Sequence, residues 1–115
     1  VLAAQKDMNV STWRMLQDRG VTEASMLQLD FTFDAPGQAE ADRLVRFLQR
    51  ETDYQAETAR VDRGGLRRRG WIAKGQTGAT TISLDILDDW VQWMVTAGAL
   101  HGACRFDGWG TQLGQ

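Results

Sequence analysis

The 115 residues carry 13 lysines and arginines against 15 acidic residues, a formal charge of -2, and 43% of them are apolar. That balance is typical of a folded globular domain and argues against a surface that is a nucleic-acid footprint throughout. A single cysteine, Cys104, excludes an internal disulfide framework and suits a reducing, cytoplasmic compartment, while that cysteine and the lone histidine, His101, do not make a convincing zinc site, and no spacing suggests that carboxylates complete one.

The first segment reads as a helix running to Arg19, loosely amphipathic through Met8, Thr12, Met15 and Leu16 with Trp13 at its flank. Asn9 is a possible cap for a shorter version, and Gly20 ends either one. Alternation then takes over. From Met26 to Phe33, Leu27, Leu29, Phe31 and Phe33 share one face of a strand, with Gln28, Asp30 and Thr32 on the other. One apolar face implies a single sheet covered by helices on one side. Asp34 and Pro36 have the chemistry of a helix start, and from Gln38 to Glu51 the stripe Ala41, Leu44, Val45 and Leu48, widened by Phe47, calls for a second helix.

Tyr54 to Val61 reads as a polar edge strand. Arg63 to Gly70 is a hairpin-like link, Trp71 to Gly75 the next strand, and Thr80 to Ile82 a candidate extension of the sheet. The helix from Leu84 to Ala97 carries the clearest pattern, with Ser83 as its cap and Gly98 as its stop. Its apolar arc includes Leu84, Ile86, Leu87, Trp90, Val91, Trp93, Met94 and Ala97, enough to cover a sheet and touch a second element. The last strand runs from about Ala103 to Phe106, with Gln112 and Leu113 continuing after a glycine turn.

Helix, then strand–helix–strand–strand–helix–strand, is satisfied by four antiparallel strands with both main helices on one side. The expectation is an α+β, ferredoxin-like βαββαβ sandwich forming one domain over 1–115, with an additional N-terminal helix over 1–20 and the core over 25–113. Such a fold hosts many functions, so the residues must decide among them.

Phe106-Asp107-Gly108-Trp109-Gly110-Thr111 is the most distinctive stretch of the chain. Together with the alternating first strand, the helix after it and the Trp90-containing helix, it resembles the regulator of ribonuclease activity B family over most of the chain beyond about Leu27. That resemblance implies a regulatory domain that binds ribonuclease E and inhibits it, without catalysis of its own. The dense arginine run between the middle strands sets this chain apart from the family's acidic face, and the strongly acidic C-terminal extension of its known regulator is not part of these 115 residues.

Asp107-Gly108-Trp109-Gly110 reads as a structural turn with a packed indole, Asp107 bonding nearby amides. The functional alternative makes Trp109 an aromatic anchor for a partner. Arg60, Arg63, Arg67, Arg68, Arg69 and Lys74 form the concentrated positive field, with guanidinium groups suited to a partner's carboxylates or to phosphates and Trp71 placed to stack a base. The candidate protein-binding residues are therefore Arg63, Arg67, Arg68, Arg69, Trp71, Asp107 and Trp109. Single-stranded RNA is the rival ligand, disfavoured by the acidic total, by the lack of a second basic patch and by the absence of paired aromatics in the first and third strands, whose first member turns Gln28, Asp30 and Thr32 outward. Trp90 reads as core and Trp93 as a border residue, which makes the helix that carries them a possible homo-oligomer contact.

No enzyme is expected. Cys104 and His101 do not make a convincing nucleophile and base, the Asp85, Asp88, Asp89 set suits a helix start, and no phosphate loop, cofactor motif or metal-ligand spacing is present. No apolar run approaches the ~20 residues of a membrane span, and the first residues lack the basic-then-apolar order of a secretory signal.

Overall fold

The alternation at Leu29 to Phe33 builds the centre of the sheet. The computed structural model describes residues 2–62 and 69–111. Its elements in chain order are α1 (Leu2–Asp18), β1 (Met26–Leu27), β2 (Leu29–Ala35), α2 (Gln38–Glu51), β3 (Gln55–Asp62), β4 (Arg69–Gln76), β5 (Thr80–Thr81), α3 (Leu84–Leu100) and β6 (Arg105–Thr111). The architecture is α+β, with three helices and two antiparallel sheets among the described residues.

In the larger sheet the strands lie in the order β3-β4-β2-β6, so β2 pairs on both sides, with β4 and with β6. Phe31 and Phe33 point from β2 into a core shared with Leu44, Val45 and Leu48 of α2, Val91 and Met94 of α3, Ala73, Cys104 and Phe106. Both helices therefore cover the same face. Phe33 is fully buried, and burial of each such side chain is worth roughly 1.5–3 kcal/mol. A second cluster, Trp13, Leu16, Val21, Leu29, Ile82 and Leu87, joins α1 to the N-terminal end of α3.

Several sequence expectations change in detail. The first strand breaks at Gln28: Met26 and Leu27 leave the main sheet to pair with Thr81 and Thr80. Thr80–Thr81 thus forms a separate two-stranded ladder and does not extend the larger sheet. Asp34 is no helix cap. It lies within β2, one residue before its end, where its carboxylate accepts from Arg105 at 2.6 Å, and Gly37 occupies the cap position of α2. In α1 the buried side is Asn9, Trp13 and Leu16, whereas Met8 and Met15 face outward, because the second cluster needs the indole where the periodicity had put methionine. Ser83 caps α3 as expected, its hydroxyl oxygen accepting from the Ile86 amide at 3.2 Å.

Gly98 does not stop α3. A Cβ there would lie 2.7 Å from the Cys104 carbonyl oxygen and 2.8 Å from the Phe33 ring, so the glycine lets the helix approach the sheet. The chain turns only after Leu100, through Gly102 and Ala103, both at positive φ. The last strand likewise begins later than expected and passes straight through the distinctive stretch. Phe33 faces Phe106 and Thr32 faces Gly108, which leaves Asp107 as the extra residue of a bulge, with Gly108 at φ +125°. The expected continuation at Gln112 and Leu113 lies outside the described residues.

Candidate protein-contact surface

The apolar arc of α3 is wider than the core needs, and its excess is exposed. Leu87, Val91, Met94 and Ala97 are buried, while Ile86, Trp93 and Leu100 are 48%, 39% and 73% exposed. Their seven-residue spacing returns nearly to the same side of a helix, so they form one outward row. Phe47 of α2 extends it. The Phe47 ring stacks on His101 at 3.7 Å between centroids and 10° between planes, and lies 6.1 Å from Trp93. Tyr54 meets Trp93 edge-on at 6.4 Å, and its hydroxyl oxygen accepts from the Trp90 indole at 2.9 Å. Burial, partly opposed by that hydrogen bond, raises the Tyr54 hydroxyl pKa, so the phenol stays neutral.

Charge rims this patch. Arg43, Arg46 and Arg50 are exposed on α2, with the Arg50 guanidinium 5.9 Å from the Phe47 centroid and bonded to Glu51 at 3.0 Å. Asp85 and Asp89 are exposed on the N-terminal half of α3. α1 lies on the opposite flank of α3, where the Asn9 amide donates to Asp88 at 3.0 Å, and leaves the row uncovered.

The sheet's other face is chemically different. Strand alternation directs Asp30, Thr32, Glu57, Lys74 and Gln76 away from the helices, where they help line a groove of about 450 Å³. Gln76 donates to Asp30 at 2.8 Å and Lys74 pairs with Glu57 at 3.5 Å. No aromatic side chain among the described residues of the four strands points to that face.

Of the residues singled out from the sequence, Arg69, Trp71, Asp107 and Trp109 fall among the described residues. Arg63, Arg67 and Arg68 lie outside the described residues. Arg69 opens β4 opposite Asp62, and Trp71 stands on the helix-covered side, half-buried, with the Arg60 guanidinium 5.8 Å from its ring. Asp107 is exposed on the bulge, 4.0 Å from Arg105. Trp109 is half-buried and packs against both clusters. Its indole N–H donates to Asn9 at 2.7 Å and its ring meets Trp90 edge-on at 6.3 Å. The sequence marks Trp93 as a border residue on a helix suited to a subunit contact, but it places Ile86 in the apolar arc and Leu100 beyond the supposed stop at Gly98. The seven-residue repeat was the signal that marked the row.

Burial, reinforced by nearby Glu40 and opposed by Arg43, pushes the Cys104 thiol up to about 11, which leaves it protonated and a poor nucleophile. Among the described residues no cluster of three or more His, Cys, Asp or Glu side chains is arranged to hold a metal, and no helix is long and apolar enough to cross a membrane. Compared with protein-family models and with curated proteins, the chain matches none.

Proposed function

We propose that this chain is a non-catalytic regulatory protein-binding domain of the cytoplasm, and that it modulates a ribonuclease by direct binding, as its resemblance to the regulator of ribonuclease activity B family implies. The ferredoxin-like label is part of the proposal. It is supported by the strand order β6-β2-β4-β3, which in a βαββαβ count is 4-1-3-2, with both core helices on one side.

The observation that carries protein binding is the exposed row Ile86, Trp93 and Leu100 beside Phe47. A contiguous apolar patch with an aromatic centre and charged rim has the anatomy of a protein contact. The open sheet face, with Asp30 and Glu57 among its side chains and no aromatic platform, offers single-stranded RNA little to stack on.

The test is to titrate the protein into a ribonuclease E cleavage assay on single-stranded RNA while measuring its own binding to that RNA. The expected result is slowed cleavage without RNA binding at low salt, and a loss of potency of about tenfold or more in a Leu100→Glu variant. RNA binding that falls steeply with salt, with slowed cleavage only through capture of the substrate, overturns the proposal.

A further inference from the structure

We infer that the row Ile86, Trp93 and Leu100 is the two-fold contact between two copies of this chain, with α3 of one packed antiparallel on α3 of the other. The inference rests on the reading of that row as a protein-contact surface and names its occupant.

Spacing carries the first half of the argument. Ile86 and Leu100 each lie seven residues from Trp93 in the same helix, about 10.5 Å along its axis. A two-fold axis at Trp93 therefore places Ile86 of each copy against Leu100 of the other, and the two Trp93 side chains against each other. A surface that is apolar at both ends and aromatic at its centre is self-complementary under that one operation.

Charge carries the second half. The exposed carboxylates beside the row, Asp85 and Asp89, lie at its Ile86 end. α2 runs antiparallel to α3. The Glu40 carbonyl in its first turn accepts from the Cys104 thiol at 3.7 Å, beyond the C-terminus of α3, while Tyr54, just past the end of α2, reaches back to Trp90. Exposed Arg43, one turn before Phe47, therefore sits at the Leu100 end. The two-fold brings Arg43 of each copy towards Asp85 and Asp89 of the other, twice over. A parallel pairing instead sets carboxylates against carboxylates and loses the favourable head-to-tail alignment of the helix dipoles.

Sedimentation of the full chain from about 1 to 500 µM provides the test. The expected result is a mass that doubles from 12.9 kDa with concentration, with a midpoint moved about tenfold upward by Leu100→Glu. Arg43→Asp and Asp89→Arg are both at exposed positions and should each weaken association about fivefold, while the two together should restore it to near the native midpoint. A native chain that stays monomeric throughout overturns the inference, as does association that ignores Leu100→Glu or charge swaps that fail to rescue each other. If the chain is monomeric yet Leu100→Glu still loses its effect on ribonuclease E, the second copy is wrong but the row remains a contact for another protein. If that variant also keeps full potency, the protein-contact reading of the row falls too.

Discussion

The indole N–H of Trp109 donates to the side-chain oxygen of Asn9 at 2.7 Å, across 100 positions of sequence. Asn9 is fully buried, and its amide nitrogen in turn donates to Asp88 at 3.0 Å. One asparagine thereby fastens α1 to the last strand and to α3. This places the most distinctive motif of the chain, and the helix most remote from it in sequence, in a single packing unit.

Asn9→Ala removes both bonds and strands a partly buried indole donor. The expected cost is about 2–3 kcal/mol, because a partly buried partner is left unpaired in addition to the loss of the bonds themselves. Urea unfolding measures it directly. A midpoint within error of the native protein's would mean that α1 is not coupled to β6 in solution.

Gly98→Ala tests the close approach of α3 to the sheet. The added methyl would lie 2.7 Å from the Cys104 carbonyl oxygen, which is backbone, and against the Phe33 ring. Helix propensity alone favours alanine by about 1 kcal/mol. Overpacking should win and leave the variant about 1–3 kcal/mol less stable. A stabilised variant would show that the helix has room to move away, and that Gly98 is only a propensity defect.

These two sites also mark where the sequence was legible. Phe31 and Phe33 alternate so regularly that their strand and its covered face follow from period alone, and Ser83 announces the helix it caps. Gly98 was misread because a glycine near a helix end has two physical uses, stopping the helix or admitting a neighbour, and only the fold says which. The Asp107–Gly108 pair was misread for a similar reason. A bulge and a turn need the same residues, and pairing with Thr32 decides between them. Asn9 looked like a cap because its partners, Asp88 and Trp109, are far away in the chain. The row on α3 was visible as a repeat, yet periodicity does not say how much of a broad apolar arc the core has room to take.

Cys104 makes stability fall at alkaline pH. Its folded pKa, raised by burial to about 11, exceeds the ordinary thiol value of 9.0, so the unfolded chain releases its proton first. The contribution is fully present below about 9 and is lost as pH rises from there through 11. Tyr54, raised from 10.0 chiefly by burial, acts in the same sense. The unfolding midpoint is therefore expected to drop over that window, and alkylation of the native thiol at about pH 8 to be far slower than in denaturant. Rapid alkylation of the native protein, with no change in its unfolding, would contradict the buried placement of the thiol.

Trp109→Phe separates the motif's packing role from any role as a partner anchor. The substitution keeps an aromatic ring against Trp90 and both hydrophobic clusters but deletes the donor that Asn9 accepts. With the Asn9 oxygen left buried and short of one partner, the expected loss of stability is about 1–3 kcal/mol. If Trp109 serves the fold, the folded variant retains its effect in the ribonuclease E assay, while Leu100→Glu loses potency with little change in unfolding midpoint. If Trp109 is the anchor, the order reverses, with potency falling in Trp109→Phe and surviving in Leu100→Glu. Unfolding and inhibition measured side by side on the two variants distinguish these outcomes, because the two residues occupy different faces: Trp109 beneath α1, and Leu100 open to solvent at the end of α3.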